Sequence, residues 1–188
     1  SMLGAVIEID GAQRHHFFLV RAKDRVNVDD WNVLGLCGTG SASIEIRDVF
    51  VPAHRVLLNA DVAAGEAPGA QVNKAPIYCM PIFGYTLNGL GSVTTGILQG
   101  MVEDFTAFVA SVARRPHPVP WLPNFTERAA EAAMEAEVCA TMIRESNRRI
   151  DAILLAGQKL SESDATINSR NIAWVNMTAR RAATRMFE

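Results

Sequence analysis

The hydrophobic pattern of this chain changes its period once, near residue 58, and this change limits the folds that the chain can adopt. Before that point, short segments rich in β-branched and aromatic residues occur at 3–9, 15–21, 25–28 and 43–51. Such segments, separated by turn residues such as Asp10-Gly11, predict β-strands. After residue 76, apolar residues recur at steps of three and four, which predicts helices. The sequence therefore predicts an α+β chain in which a β layer precedes a bundle of long antiparallel helices.

The first predicted helix runs from Pro81 to about Arg114 and is unusually rich in glycine. Glycine lowers helix propensity by nearly 1 kcal/mol relative to alanine, so its repeated use requires a reason. Close packing against a neighbouring helix is one reason, and approach of the backbone to a ligand is another. We favour packing. The glycines concerned are Gly84, Gly89, Gly91, Gly96 and Gly100.

Two further helices are predicted after a proline-rich connection over residues 114–123. Asn124 and Glu127 resemble a capping box for a helix over residues 125–156, and Gly157 marks its end. Residues 161–164 carry a second start signal, for a helix that reaches the last residue without a stop signal. We therefore expect the chain to be part of a longer protein.

Three regions follow from these patterns. Residues 1–58 are predicted to form part of a β domain, residues 59–76 an irregular connecting loop, and residues 77–188 an incomplete helical domain. Helices of this length commonly belong to bundles that continue across a subunit interface.

The amino-acid composition limits the kinds of ligand and surface that the chain is expected to bind. The formal charge of −2, with 49% hydrophobic residues, gives no reason to expect a nucleic-acid partner. Three widely separated cysteines indicate neither a disulfide framework nor a zinc site, so we expect a cytoplasmic protein without a metal. No apolar run is long enough to predict a membrane span.

One passage carries a family resemblance. Gly38-Thr39-Gly40-Ser41 leads into a predicted strand that ends Asp48-Val49-Phe50-Val51-Pro52, with Arg55 three residues later. This motif resembles one found in the acyl-CoA dehydrogenase superfamily, and it is most similar to that of the superfamily's flavin-dependent monooxygenases. The order of elements is similar to the second half of the superfamily's β domain and the first three helices of its terminal four-helix bundle.

The resemblance implies an oxygenase component of a two-component flavin-dependent monooxygenase. Such an enzyme hydroxylates an aromatic or polycyclic substrate with O2 and reduced FMN that a separate reductase supplies. It also implies a homotetramer, and a chain of this extent is expected to be inactive alone. Two alternatives stay open: an acyl-CoA dehydrogenase that uses FAD, and a non-catalytic helical oligomerisation module.

Few site residues can be assigned from the resemblance. It implies that Arg114 or Arg115 holds the flavin phosphate, for which the bidentate guanidinium is suited. The alternative is that these arginines bind free carbonyls at the helix end. Thr39 and Ser41 are further cofactor-binding candidates, although a turn that needs glycine in a left-handed conformation explains the same residues. The catalytic residue, the substrate and the choice between FMN and FAD stay undetermined.

Overall fold

The computed structural model describes residues 1–9, 11–73 and 75–188, with residues 82–86 described by their backbone alone. The chain divides into two compact units, Ser1–Val72 and Asn73–Glu188. A mixed architecture of short antiparallel strands and three long helices confirms the predicted α+β class. The boundaries proposed for the β domain and the connecting loop stay predictions.

The first unit contains a three-stranded antiparallel sheet. Strand β1 (Met2–Ile9) pairs along its whole length with β2 (Ala12–Leu19), and β2 pairs with β5 (Val56–Leu58). Gly11 in the turn between β1 and β2 has a φ of 76°, which glycine adopts without steric cost. Its predicted turn partner, Asp10, lies outside the described residues.

A second, two-stranded sheet joins β3 (Val26–Asn27) to β4 (Ile44–Glu45). The prediction of one strand over residues 43–51 is wrong beyond Glu45. Asp48 has a φ of 50°, in the left-handed region, and one such residue interrupts the extended pleat. The strand therefore ends at Glu45, three residues before the left-handed residue Asp48.

Part of the segment that is predicted to connect the two domains, residues 59–76, is helical. This segment contains the short helices α1 (Asn59–Ala64) and α2 (Pro68–Val72). Gly65, with a φ of 71°, ends α1 and donates its backbone N–H to carbonyls of that helix. Helices this short show little hydrophobic periodicity, so the pattern that predicts the longer helices does not detect them.

The second unit consists mainly of α3 (Ile82–Ala113), α4 (Leu122–Leu155) and α5 (Glu162–Phe187), each in contact with the other two. Their buried side chains form one core that includes Leu98, Cys139, Ile143 and Val175. Burial in that apolar core raises the pKa of the Cys139 thiol, and the nearby Glu135 adds to the effect.

The ends of the long helices agree with the signals predicted at residues 157 and 161–164 but not with the cap predicted at Asn124. Residues 161–164, which predict a helix start, form a capping box between Ser161 and Asp164 at the start of α5, and Gly157, with a φ of 70°, follows the end of α4. The capping box predicted at Asn124 is wrong, because α4 begins at Leu122 and Asn124 lies within the helix. Pro123 occupies the first turn, where its fixed φ is favourable and its missing N–H costs nothing.

Candidate functional site

The glycine-rich turn of the first unit is a compact structure held by its own side chains. Leu36 and Gly40 have φ values of 60° and 58°, on either side of a single helical turn at Cys37–Thr39. Thr39 Oγ1 donates to the Leu36 carbonyl at 2.9 Å and lies 2.9 Å from Ser41 Oγ. These contacts support a structural role for Thr39 and Ser41, and their predicted cofactor-binding role stays a prediction.

The loop that contains this turn is closed at its base. Asp30 Oδ1 accepts a hydrogen bond from the backbone N–H of Ser43 at 2.8 Å, and Val28 N–H donates to the Ser43 carbonyl at 2.9 Å. The hydrogen bonds from Ser43 lower the pKa of the Asp30 carboxyl. The loop therefore has a defined shape while it exposes the large apolar side chains of Leu34 and Leu36.

Arg114 and Arg115 follow directly after α3. Arg114 caps the helix with its backbone, and the Arg115 backbone N–H donates to the carbonyl of Val112. Both residues are exposed, and within the described part of the chain neither guanidinium forms a hydrogen bond or an ion pair. The alternative role, in which these side chains bind the carbonyls at the helix end, is therefore not realised. Both guanidiniums are available to an anionic group.

An aromatic cluster joins α3 and α4 beside this connection. Trp121 lies 4.6 Å from Phe125 and stacks on Phe108 at 6.3 Å, measured between ring centroids. Phe105 stacks on Phe125 at 5.7 Å, and the Arg128 guanidinium lies 5.6 Å above the Phe125 ring. These contacts pack Trp121 against an aromatic ring of each helix, while its side chain stays 38% exposed.

The described glycines of α3 fall into two groups. A Cβ at Gly91 would lie 2.8 Å from Ile143 Cδ1, so this glycine permits close helix packing. A Cβ at Gly89, Gly96 or Gly100 would meet no atom within 4 Å. The favoured packing explanation therefore holds at Gly91 alone among these four, and Gly84 lies among the residues without described side chains.

The outward side of α3 is apolar as well as rich in glycine. Leu90, Val93 and Ile97 are each about 60% exposed, and they share this side with the glycines of open environment. Small residues let another chain or a ligand approach the helix backbone closely. This outward side of α3 is a candidate contact surface.

Polar side chains also link the three helices, at positions that the sequence does not predict. Asn88, which is 2% exposed, donates from Nδ2 to Asn147 Oδ1 at 2.6 Å, linking α3 to α4. Asn171 Nδ2 donates to Ser146 Oγ at 3.2 Å, linking α5 to α4. Asparagine in a helical pattern predicts an exposed position, so no sequence signal identifies these contacts.

His15 and His16 are neighbours on β2, and His16 is buried with its Nδ1 3.0 Å from the Arg14 carbonyl, whereas His15 is half-buried. Among the described residues, no group of three or more His, Cys, Asp or Glu side chains could hold a metal ion. Nor does any described helix have the length and apolar character that crossing a membrane requires.

Comparison with curated proteins identifies relatives along parts of the chain. It is 35% identical over 105 residues to a pigment production hydroxylase of Rhodococcus sp., over 56% of this chain and 27% of that protein. It is 40% identical over 82 residues to HsaA of Rhodococcus jostii, an oxygenase subunit of a flavin-dependent monooxygenase, over 43% of this chain and 22% of that one. The oxygenase component of an FADH2-dependent resorcinol hydroxylase from Rhizobium sp. is 31% identical over 140 residues, covering 70% of this chain and 34% of that protein. No family model matches the chain.

Solved structures extend the similarity to nearly the whole chain. 3-HSA hydroxylase from Rhodococcus sp. RHA1 superposes with a TM-score of 0.91 at 26% identity, over 99% of this chain and 49% of that one. XiaF from Streptomyces sp., solved in complex with FADH2 and glycerol, has a TM-score of 0.79 at 20% identity, over 98% of this chain and 48% of that one, and shows the fold alone. The chain thus spans about half the length of these solved proteins and about a third or less of the curated relatives.

Proposed function

We propose that this chain, which is related in sequence and fold to the oxygenase components of flavin-dependent monooxygenases, forms part of such an enzyme. The observation that carries the proposal is the match over 99% of the chain to a hydroxylase, at a TM-score of 0.91 and 26% identity. Relatives that include a pigment production hydroxylase and a resorcinol hydroxylase support it. The relatives described above favour neither an acyl-CoA dehydrogenase nor a non-catalytic assembly module.

The proposed reaction is hydroxylation of an aromatic or polycyclic substrate with O2. Reduced flavin, delivered by a separate reductase, supplies the electrons and activates the oxygen. The protein binds the flavin and the substrate, orients them and excludes water from the site. The substrate class is that of the resorcinol hydroxylase and of a further relative, p-hydroxyphenylacetate 3-hydroxylase from Acinetobacter baumannii. That relative is 26% identical over 99 residues, covering 52% of this chain and 24% of that one.

For the flavin phosphate we propose Arg114 or Arg115 as the binding residue. Both guanidiniums are exposed and lack partners within the described residues, which fits an anionic ligand. Charge-assisted hydrogen bonds from arginine to phosphate are among the strongest in proteins. Thr39 and Ser41 are proposed as secondary contacts, because their turn is exposed and held by hydrogen bonds of its own side chains.

Reduced FMN is the proposed cofactor, and reduced FAD is the alternative. The resorcinol hydroxylase is FADH2-dependent and XiaF was solved in complex with FADH2, which supports the alternative. The protein is further proposed to be a cytoplasmic homotetramer. Exposed apolar side chains on all three long helices support assembly into an oligomer.

The proposal is tested with the full-length protein. Reduced FMN and reduced FAD, generated by an added flavin reductase, are supplied in air with a panel of phenols, and hydroxylated products are identified by mass spectrometry. We expect an oxygen atom from labelled O2 in the product. Oxidation of an acyl-CoA thioester in place of phenol hydroxylation would identify the acyl-CoA dehydrogenase alternative, and absence of both reactions and of flavin binding would support the assembly module.

A further inference from the structure

The connection between α3 and α4, residues 114–121, forms a turn at each of its two ends. Three of its residues are proline, which holds φ near one value and cannot donate a backbone hydrogen bond. At the first end the N–H of Arg115 donates to the Val112 carbonyl at 3.0 Å. At the second end the N–H of Leu122 donates to the Val119 carbonyl, also at 3.0 Å. The path between these turns therefore depends on what holds the second end in place.

Trp121, at the second end of the connection, contacts α3 again. Its ring is nearly parallel to that of Phe108, with 3° between the ring planes and 6.3 Å between the centroids. With a rise of about 1.5 Å per residue, Phe108 lies about 9 Å before Arg114 along the helix axis. The chain therefore leaves α3 at Arg114 and returns to the side of the same helix, so that the connection is a closed loop.

Trp121 also contacts the start of α4. Its ring centroid is 4.6 Å from that of Phe125, which in turn stacks on Phe105 of α3 at 5.7 Å. The Trp121 ring is thus held between one aromatic side chain of each helix. Tilted and stacked aromatic pairs are favourable beyond the apolar area that they bury. The ring therefore fixes the return point of the loop against both helices at once.

Arg114 and Arg115 lie at the point where this loop leaves α3. Their guanidiniums form no hydrogen bond or ion pair within the described residues, so the backbone of the loop determines where these side chains can reach. A ligand that binds them gains less affinity if the loop must first be ordered, because ordering a mobile segment costs conformational entropy. A loop that is closed before the ligand arrives avoids this cost.

We propose that Trp121 is a positioning residue for the flavin phosphate. By closing the connection onto Phe108 and Phe125, it holds the backbone of Arg114 and Arg115 in the position from which their side chains bind the phosphate. The inference rests on the proposed function, because it requires that at least one of these arginines binds the phosphate. It adds a residue that acts on the flavin only through the arginines, and this indirect action can be measured.

The test measures dissociation constants of the full-length protein for reduced FMN and for reduced riboflavin, which lacks the phosphate, by anaerobic fluorescence titration. We expect Trp121→Ala to weaken FMN binding about three- to tenfold and to leave riboflavin binding unchanged. In the double variant Arg114→Ala/Arg115→Ala, adding Trp121→Ala should cause no further loss of FMN affinity, because the tryptophan then has no arginine to position. Trp121→Phe retains a ring and should bind FMN nearly as the wild type does.

Two further variants separate positioning from a general loss of stability. Val175→Ala removes part of a fully buried side chain from the core of α5, away from the connection, and should leave FMN affinity unchanged although it destabilises the helical unit. Phe108→Leu removes the ring on which Trp121 stacks and should weaken FMN binding in the same selective way. It keeps the inference testable if Trp121→Ala fails to fold.

The outcomes separate this inference from the proposed phosphate site. Equal weakening of FMN and riboflavin binding in Trp121→Ala would overturn the inference, because the ring would then support the fold as a whole. A loss of FMN affinity that persists without the two arginines would also overturn it. Unchanged FMN binding in Trp121→Ala, together with weaker binding in the double arginine variant, would overturn the inference and leave the phosphate site intact. Unchanged binding in the double arginine variant would remove the phosphate site itself, and the inference with it.

Discussion

A methyl group at Gly91 would lie 2.8 Å from Ile143 Cδ1 and 3.1 Å from Ile172 Cδ1, both in the core of the helical unit. Alanine at this position gains helix propensity but forces two buried isoleucines to move. At Gly96 the same substitution gains the propensity, up to about 1 kcal/mol, without a contact. We expect Gly91→Ala to be less stable than Gly96→Ala by about 1–3 kcal/mol, the usual cost of overpacking.

Urea unfolding of the two variants, followed by circular dichroism, measures this difference. Gly100→Ala serves as a second control, since its Cβ also points into open space within the described structure. Equal midpoints for Gly91→Ala and Gly96→Ala would show that the isoleucines adapt freely.

The glycines of α3 and the buried Asn88 show which residue-level features the sequence does not predict. The cost of glycine in a helix predicts that α3 makes some special contact. Which of its five glycines makes that contact depends on which side of α3 faces α4 and α5, and the sequence does not give this orientation. Similarly, Asn88 is polar and in a helix, so its burial follows only from its partner Asn147 on another helix. Such pairings depend on tertiary contacts that no local pattern encodes.

Among the elements, α5 has the most explicit start signal. Ser161 Oγ accepts from the Asp164 backbone N–H at 3.1 Å, and the Asp164 carboxylate accepts from the Ser161 backbone N–H at 3.0 Å. We expect Ser161→Ala to cost about 1 kcal/mol of unfolding free energy, as is typical for the loss of a helix cap. Chemical denaturation at neutral pH measures this loss, and Ser163→Ala, which lies inside the helix, is the control.

The same cap predicts a pH dependence. Hydrogen bonds from Ser161, and then the Arg149 guanidinium, lower the pKa of the Asp164 carboxyl. A carboxyl whose pKa is lowered on folding contributes stability above its unfolded pKa, and this contribution disappears as the pH falls through the folded pKa. We therefore expect the free energy of unfolding to decrease as the pH falls below the ordinary aspartate pKa. Asp164→Asn should make the free energy of unfolding less dependent on pH in that range. An unchanged profile in the variant would contradict this assignment.

The connection between α3 and α4 depends on its aromatic cluster. Trp121 contacts Phe108 and Phe125 and is 38% exposed. We expect Trp121→Ala to cost about 2 kcal/mol of unfolding free energy through lost apolar burial and ring contacts, while Trp121→Phe retains most of the stability. Thermal unfolding of both variants tests this, and equal losses would indicate that the aromatic ring itself contributes little.

Element types were predictable where a pattern repeats over many residues. The three long helices follow from apolar residues at steps of three and four, and the start of α5 follows from the signal at residues 161–164. The start of α4 was misplaced because Asn124 resembles a cap although Pro123 already occupies the first turn. The short helices α1 and α2 and the early end of β4 at Glu45 involve too few residues for a period to appear.

At the scale of the molecule, the proposed cofactor residues belong to different compact units. Thr39 and Ser41 lie in the unit Ser1–Val72, and Arg114 and Arg115 lie in Asn73–Glu188. Sequence alone identified the turn by its glycines, and the resemblance pointed to the arginines. A common role in flavin binding depends on the arrangement of the two units, which local sequence patterns do not encode. This role is therefore tested by measuring flavin binding.

Riboflavin, which is FMN without its phosphate, provides that measurement. If Arg114 or Arg115 binds the phosphate, its replacement by alanine in the full-length protein should weaken binding of reduced FMN about tenfold or more, because a charge-assisted hydrogen bond contributes about 1.5–3 kcal/mol. Binding of reduced riboflavin should not change. Anaerobic fluorescence titrations give both dissociation constants, and Arg144→Ala on α4, whose guanidinium contacts only Thr141 among the described residues, is the control. An equal loss for FMN and riboflavin would show that the arginine supports the fold of the site, and no loss for either would place the phosphate elsewhere while leaving the proposed hydroxylation intact.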